Sequence, residues 1–261
     1  MSAALIPGNA PLLSIRGASV RFGGIAALDD VSFDVRAGEI CGLIGPNGAG
    51  KTTLFNCLTR LYELDRGQIH FDGFALDDRP RHGVARLGIG RTFQNLALYN
   101  SMSVLGNVLA GTHCRGRSGF LADILRLPSV DREERALTKR ALELLAALEL
   151  TAVAGAPVAS LPFATRKRVE LARALASEPR LLLLDEPAGG LTHEEVERLR
   201  TLIVSLRDRL GITVLLVEHH VNLVMGVSDT VVVLNFGRKI AQGTPAEIRS
   251  DASVIRAYLG L

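Results

Sequence analysis

The feature that most constrains this chain is a glycine-rich segment, Gly45-Pro46-Asn47-Gly48-Ala49-Gly50-Lys51-Thr52. It matches G-x-x-x-x-G-K-[ST] in full, and it lies between a predicted apolar strand, Ile40–Ile44, and a predicted helix, Thr52–Leu61. A strand, a glycine loop and a helix in this order open an α/β unit, which disfavours the alternative of a simple glycine turn. In such a loop successive backbone N–H groups point at phosphate oxygens, and the positive end of the helix adds to the attraction. The segment therefore predicts a phosphate site.

Two further elements complete the chemistry of such a site. Lys51 can reach β- and γ-phosphates, and the Thr52 hydroxyl can ligate Mg²⁺. Farther along, an apolar strand predicted at Leu181–Leu184 ends in Asp185 and Glu186. We expect Asp185 to bind Mg²⁺ through its water shell and Glu186 to act as general base on the attacking water. Paired acids at a strand end also serve as helix caps, but the phosphate loop in the same chain favours the catalytic interpretation.

Composition bounds the class of protein. The chain has 261 residues, of which 48% are hydrophobic and 22% charged, and this excludes a disordered chain. A net charge of +3 is too small by itself to indicate nucleic-acid binding. Mean hydropathy is high at +0.24, yet no apolar run approaches the roughly 18 residues of a spanning helix. Pro7 and Pro11 break the first apolar stretch, which makes it a poor signal peptide, so we expect a cytosolic chain.

The three cysteines, Cys41, Cys57 and Cys114, have no metal-ligand spacing and cannot all pair with one another. Cys41 and Cys57 lie in apolar segments. We expect buried thiols in a reducing compartment.

Periodic patterns place other elements along the chain. Strands are predicted at Leu12–Phe22, Val31–Val35, Ile212–Val217 and Thr230–Leu234, and a turn at Asn235-Phe236-Gly237. Capping boxes predict helix starts at Thr192, with Glu195, and at Thr244, with Glu247. The inner face of the first of these helices is predicted to carry Val196, Leu199, Ile203, Leu206 and Leu210.

The region from about Pro80 to Leu175 has a different character. Asp131–Leu150 predicts a helix with one apolar face formed by Leu137, Leu144, Leu145 and Leu148. Arg115–Leu127 has the weakest pattern, and we interpret it as a loop with a short helix.

Five ordered motifs resemble the ATP-binding subunits of ABC transporters: GPNGAGKTT, Arg91-Thr92-Phe93-Gln94, a helix containing LARALA, LLLLDEP and Leu216-Val217-Glu218-His219. The resemblance covers about residues 12–260. It implies an α/β fold: a P-loop NTPase core with an antiparallel β subdomain and an inserted helical subdomain at about 80–175. Residues 12–261 would form one ATP-binding domain ending in a helical tail at about 244–261, after a flexible N-terminus at 1–11.

The resemblance also implies the site residues and the cofactors, ATP and Mg²⁺. Gln94 is expected to reach the metal or the attacking water, and His219 to contact the γ-phosphate and serve catalysis beside Glu186. Phe22 is expected to stack on adenine, with a core aromatic as the alternative. The implied nucleotide-binding set is Phe22, Gly45, Pro46, Asn47, Gly48, Ala49, Gly50, Lys51, Thr52 and Thr53, and the implied metal set is Thr52, Gln94 and Asp185.

Three stretches resemble one of the two ATP-binding subunits of branched-chain amino acid importers: LPF at Leu161, PAGGL at Pro187–Leu191 and the ending GTPAEIRSDASVIRAYLGL. Importers of urea and other small polar solutes share much of this pattern. The implied partners are a homologous ATP-binding subunit in a heterodimer, two transmembrane permease subunits and, indirectly, an external solute-binding protein, with no nucleic acid. The implied location is peripheral, on the cytoplasmic face of the inner membrane.

The chain departs from the family pattern in two segments. The loop Ala188-Gly189-Gly190-Leu191-Thr192 lacks the aspartate found in most ABC proteins, which is usual in this subgroup, and the other departure lies in the family signature. Ala164 stands where the family signature has glycine, and Thr165 where it has glutamine. We expect the ATP site that uses this segment to close poorly, unless alanine is small enough to be tolerated.

Two other functions remain as alternatives. A soluble ABC ATPase acting on ribosomes or DNA usually carries two cassettes or a long coiled coil, which these 261 residues lack. A non-hydrolytic nucleotide-binding regulator is disfavoured by Glu186 and His219.

Overall fold

The computed structural model describes residues 10–115 and 128–259. Residues 1–9 of the predicted flexible N-terminus, and the short helix expected before Pro128, lie outside the described residues. The strands are β1 Leu13–Phe22, β2 Ile25–Val35, β3 Ile40–Ile44, β4 Arg66–Phe71, β5 Phe74–Ala75, β6 Ile89–Arg91, β7 Leu181–Asp185, β8 Thr213–Val217, β9 Thr230–Asn235 and β10 Arg238–Gly243. The α-helices are α1 Lys51–Leu58, α2 Val84–Leu87, α3 Val104–Gly111, α4 Pro128–Ala147, α5 Phe163–Leu175, α6 His193–Leu210, α7 Val221–Val227, α8 Pro245–Ser250 and α9 Ala252–Leu259.

The chain divides into two compact units. The first comprises Met1–Val84, Leu183–Ala188 and Thr192–Leu261, and the second comprises Ala85–Leu182 and Gly189–Leu191. Among the helices in the described residues, none combines the length and apolarity that a membrane crossing requires.

One sheet of the first unit is antiparallel, with strand order β2-β1-β4-β5. Strand β2 starts at Ile25, so the prediction of a strand confined to Val31–Val35 was too short. The reason is the irregular register of the β1–β2 hairpin around Asp30, whose φ of 57° interrupts the alternating pattern of the strand.

The other sheet of the first unit has the strand order β10-β9-β3-β8-β7. Strand β3 pairs in parallel with both β8 and β9, and every residue of β3, β7 and β8 is buried. Parallel strands covered on both faces appear in the sequence as continuous apolar runs, which is why these three were predicted to within one residue of their ends. The carboxyl ends of such strands form the edge where open α/β sheets bind ligands.

Helix α6 begins with the predicted capping box between Thr192 and Glu195, and α8 begins with the one between Thr244 and Glu247. Two details of the predicted helices are wrong. Helix α1 ends at Leu58 rather than Leu61, because Arg60 adopts a left-handed φ of 57°. Leu210 is 49% exposed instead of lying on the inner face of α6, because it is the last helical residue before a left-handed Gly211.

The second unit is mainly helical. Helix α4 starts earlier and ends earlier than predicted, at Ala147, and a left-handed Glu149 follows it. Its predicted apolar face is present in part: Leu145 and Leu148 are buried, whereas Leu137 and Leu144 are half-buried. Helices α3 and α5 pack closely, since a Cβ at Gly111 would lie 2.1 Å from the Arg173 carbonyl oxygen. Strand β6 precedes these helices, and Leu181 N donates to Gly88 O at 3.0 Å.

The cysteine prediction is confirmed for two thiols. Cys41 and Cys57 are buried, and Cys114 is half-buried. Burial raises the pKa of Cys57 to about 12, so this thiol stays protonated and unreactive at neutral pH.

Candidate functional site

The phosphate loop connects β3 to α1 and is packed tightly at two of its glycines. Gly45 has a φ of +153°, and a Cβ there would lie 2.1 Å from the Leu234 carbonyl oxygen. Gly50 has a φ of +101°, and a Cβ there would lie 2.4 Å from the Ala27 carbonyl oxygen. These two positions therefore require glycine for both backbone conformation and space.

The turn between β9 and β10 is hydrogen-bonded to the phosphate loop. Gly237 N donates to Ala49 O at 3.1 Å, and Asp29 N donates to Gly237 O at 2.8 Å. The turn predicted at Asn235-Phe236-Gly237 is thus present, but its contact with the phosphate loop was not predicted. No local pattern carries this contact, because it joins residues almost 190 positions apart in the chain.

Lys51 lies inside the loop with only 5% of its surface exposed. Its Nζ donates to Gly45 O at 2.6 Å and to Pro46 O at 2.9 Å. Burial lowers the pKa of Lys51, and the nearby carboxylates of Glu186 and Asp185 oppose that shift. The ammonium is therefore held at the centre of the loop by carbonyl groups that phosphate oxygens can replace.

The first turn of α1 is open to an anion. Its N-cap, Gly50, is left-handed and provides no side-chain cap, and the turn contains no acidic residue. Its first backbone N–H groups therefore have no side-chain cap, and they carry the positive end of the helix dipole. In the same turn Thr52 is exposed and Thr53 half-buried.

The acidic pair lies at the end of β7. Asp185 is the buried last residue of the strand, and Glu186 follows in a left-handed conformation with a φ of 49°. Glu186 N donates to Val217 O at 2.9 Å, which joins the end of β7 to the end of β8. The Glu186 carboxylate lies 2.5 Å from His219 Nε2. The fold thus brings together two predicted catalytic residues that are 33 positions apart in the chain.

Gln94 belongs to the second unit and lies in the exposed segment between β6 and α3. The backbone around it is held by Glu170 of α5, whose Oε1 accepts from Phe93 N at 3.1 Å and from Ala97 N at 3.4 Å. Burial raises the pKa of Glu170, and these amides act in the opposite direction. Gln94 is thus placed relative to α5, while Lys51, Asp185, Glu186 and His219 are placed together in the first unit.

Phe22 is the last residue of β1 and is 47% exposed, so it is a surface aromatic and not a core residue. Its ring meets the edge of Tyr62 with 5.1 Å between centroids and 69° between planes. Tyr62 was not singled out from the sequence. An aromatic residue four positions after α1 was the only available signal.

The segment with the two unusual residues opens helix α5 in the second unit. Pro162 is the N-cap and gives no side-chain hydrogen bond, and Ala164 and Thr165 lie half-buried in the first turn. The Phe163 ring lies against Gly190, where a Cβ would come within 2.9 Å of it. The start of α5 is thus, like the start of α1, a helix end without a side-chain cap.

Two further residues near the site were not predicted. Glu218 follows β8 and precedes His219, just as Glu186 follows β7, and a carboxylate after a buried strand was the missed signal. Tyr258 of α9 forms a hydrogen bond with the Gly45 backbone, and burial raises its pKa. No sequence pattern relates that tyrosine to the loop.

Comparisons with known proteins point to one family. A family model described as ABC transporter matches residues 28–189, and one described as branched-chain amino acid ATP-binding cassette transporter matches residues 238–260. The chain is 42% identical over 250 residues to the high-affinity branched-chain amino acid transport ATP-binding protein BraF of Pseudomonas aeruginosa, covering 96% of this chain and 98% of that protein. Identity and coverage are the same for the LivG protein of Escherichia coli, which carries the same description.

A solved structure extends the likeness to the fold. The crystal structure of an ATP-binding cassette of an ABC transporter in its ADP conformation is similar with a TM-score of 0.84 and 30% identity, covering 97% of this chain and 100% of that chain. The phosphate loop, the paired acids and the histidine all lie in the region covered by these matches. The chain therefore belongs to the ABC transporter family, as an ATP-binding and ATP-hydrolysing subunit.

Proposed function

We propose that this chain hydrolyses ATP at the phosphate loop to drive uptake of branched-chain amino acids through an importer. The observation that carries the catalytic part is the contact between Glu186 and His219 at 2.5 Å, at the strand edge that also carries the phosphate loop. The solute rests on the descriptions of BraF and LivG and on the family match at residues 238–260.

ATP binding begins at Lys51. The ammonium exchanges the carbonyl oxygens of Gly45 and Pro46 for β- and γ-phosphate oxygens, while the backbone amides of the loop and of the first turn of α1 surround the phosphates. The proposed nucleotide-binding residues are Phe22, Gly45, Pro46, Asn47, Gly48, Ala49, Gly50, Lys51, Thr52 and Thr53. Phe22 provides a flat exposed face on which adenine stacks.

The residues present fit a Mg²⁺ ion that is shared with the nucleotide. Thr52, Asp185 and Gln94 offer the oxygen donors that this cation prefers. In the described residues no cluster of three or more His, Cys, Asp and Glu side chains could hold a metal, which suits an ion bound in part by phosphates. When bound, Mg²⁺ neutralises charge on the phosphate oxygens.

Hydrolysis requires a base and a donor near the γ-phosphate. Glu186 takes a proton from the attacking water, and His219, whose Nε2 lies beside the Glu186 carboxylate, contacts the γ-phosphate. Gln94 positions the attacking water. Holding these groups before the reaction lowers the barrier, because little reorganisation remains to be done.

The remaining parts of the assembly are supplied by partners. A homologous ATP-binding subunit forms a heterodimer with this chain, and each ATP lies between the phosphate loop of one subunit and the start of the α5-type helix of the other. Two transmembrane permease subunits bind the dimer at the cytoplasmic face of the inner membrane, where this chain is peripheral. An external solute-binding protein delivers the solute, and nucleic acid has no part.

The test is uptake by the complete complex in proteoliposomes, with ATP enclosed at the face of the ATP-binding subunits. We expect ATP-dependent accumulation of radiolabelled leucine, isoleucine or valine. Accumulation of urea or another small polar solute instead would move this chain to a related importer. Failure of permease subunits to co-purify, with nucleic acid or ribosomes recovered in their place, would favour the soluble ABC ATPase. Absence of phosphate release would favour a regulator.

A further inference from the structure

Glu218 is a buried carboxylate that none of the roles above uses. It follows β8 and is 2% exposed. A buried charge is destabilising unless hydrogen bonds compensate it, so its partners define what it does.

Both carboxylate oxygens of Glu218 are occupied by backbone donors. Oε1 accepts from Ala188 N at 2.6 Å, and Oε2 accepts from His219 N at 2.8 Å and His220 N at 3.1 Å. One carboxylate therefore ties the turn after β7 to the turn after β8. The distances from Ala188 N and His219 N are in the short range that hydrogen bonds to a carboxylate adopt, and the distance from His220 N is longer.

The first of these turns carries Glu186. Its φ of 49° is unfavourable for a residue with a side chain, and such a conformation persists only where neighbouring contacts determine it. The Glu186 N–H bonds to Val217 O, Pro187 has no N–H, and the next amide, that of Ala188, bonds to Glu218. Glu186 is thus fixed on both sides by the end of β8.

The second turn carries His219, whose backbone N–H is bound by the same carboxylate. We propose that Glu218 is a positioning residue that sets the distance between the Glu186 carboxylate and the His219 ring, through the three backbone amides it holds. This inference rests on the proposed roles of Glu186 and His219 in hydrolysis.

The decisive variant is Glu218→Gln, which keeps the shape of the side chain but replaces one acceptor oxygen with an NH₂ donor. If the NH₂ group replaces Oε1 it faces the N–H of Ala188, and if it replaces Oε2 it faces the N–H groups of His219 and His220. We expect kcat to fall about tenfold or more, since a buried donor loses its acceptor. The ATP Kd should change by less than about threefold, because the hydrogen bonds of the Glu218 carboxylate go to the turns after β7 and β8 and not to the phosphate loop.

A double-mutant cycle separates positioning from a general loss of structure. If Glu218 acts through Glu186, then Glu218→Gln should lower turnover by less than about twofold in a Glu186→Gln background. Glu170→Gln is the matched control for stability. Glu170 is also 2% exposed, but both of its amide partners share one oxygen, so the amide can keep them. Its loss of Tm reports the effect of neutralising a buried carboxylate.

Two further measurements keep the inference testable if Glu218→Gln does not fold. Glu218→Asp retains both acceptor oxygens but is one methylene shorter, so it cannot reach both turns, and we expect an intermediate loss of kcat. In the wild-type protein, the amides of Ala188, His219 and His220 should exchange slowly with solvent deuterium, and fast exchange at all three would contradict the proposal.

The outcomes for this inference and for the proposed function are distinct. A folded Glu218→Gln protein with kcat within twofold of wild type overturns the positioning role while leaving Glu186 and His219 in place. A wild-type protein without ATPase activity, or a Glu186→Gln protein with full activity, overturns the proposed function instead.

Discussion

Helices α1 and α5 begin differently from helices α6 and α8. The first pair start at Gly50 and Pro162, which provide no side-chain cap. The second pair start at Thr192 and Thr244, and each has a complete capping box in which side chains bind the free backbone groups. This difference shows which helices have first-turn backbone N–H groups that no side chain of the cap binds. Helices with a capping box have those donors satisfied internally, whereas α1 and α5 can offer them to a phosphate.

The two uncapped starts are themselves unequal. The loop before α1 has glycine at both tightly packed positions, Gly45 and Gly50. The first turn of α5 instead carries Ala164 and Thr165, so a methyl group lies where the family signature has none. A site that depends on the start of α5 should therefore bind phosphate less closely than one that depends on the start of α1.

The largest effect should follow from adding a side chain at a tightly packed glycine of the phosphate loop. Gly45→Ala places a Cβ 2.1 Å from the Leu234 carbonyl oxygen, so the backbone must move. We expect a loss of about 3 kcal/mol or more in the free energy of unfolding and no measurable ATP binding. Gly48→Ala is the matched control, because its φ of +78° is also left-handed but its Cβ would meet nothing within 4 Å. The free energy of unfolding of Gly48→Ala should fall by only about 1–2 kcal/mol. Urea unfolding of the two variants measures this, and equal losses would contradict the packing argument.

The next effect concerns the difference in phosphate binding between the start of α1 and the start of α5. In the reconstituted heterodimer, Glu186→Gln in this chain disables the site that uses the partner's signature segment. We expect this change to lower ATPase activity about tenfold more than the equivalent change in the partner, because the partner's site depends on Ala164 and Thr165. Ala164→Gly should raise turnover. Equal losses from the two changes, or an Ala164→Gly complex with unaltered turnover, would show that alanine is tolerated.

A smaller effect concerns the base of the nucleotide. Removing a stacking aromatic is worth about 1–3 kcal/mol per base at nucleic-acid sites, so Phe22→Ala should raise the ATP Kd by roughly tenfold. Phe74→Ala is the control, because Phe74 is a similarly exposed aromatic on β5 of the same sheet. Titration with a fluorescent nucleotide measures both. The same Kd for both variants would remove Phe22 from the site.

The smallest effect concerns a capped helix. Thr192→Ala removes the hydroxyl that accepts from Glu195 N, and should lower the free energy of unfolding by about 1 kcal/mol. Thr192→Ser keeps the hydroxyl and should lose much less. Thermal unfolding distinguishes them, and a Thr192→Ala protein as stable as wild type would mean that the capping box contributes little.

Local patterns predicted much of this fold. The fully buried strands β3, β7 and β8, both capping boxes and the phosphate loop are each specified by residues that are neighbours in sequence. Errors occurred where backbone conformation departs from the regular pattern. The left-handed Asp30 hid the first half of β2, and the left-handed Arg60 ended α1 early.

The parts of the site that were missed depend on tertiary contacts. Glu218 became significant only when the fold placed Ala188 within 2.6 Å of it. The hydrogen bond from Gly237 and the contact from Tyr258 likewise join the phosphate loop to the last quarter of the chain. Periodicity and spacing describe neighbours along the chain, and these contacts arise from the strand order β10-β9-β3 and from the helices that follow it.

The most direct test of the account is a comparison of ATP binding and turnover in the wild-type protein and in Glu186→Gln. The general base is lost in this variant, while Lys51 and the loop that binds the phosphates are unchanged. We predict an ATP Kd within about threefold of wild type and a turnover lowered by about 10²–10⁴-fold. Wild-type turnover in Glu186→Gln would contradict the assignment of the base, and with it the role given to the contact between Glu186 and His219.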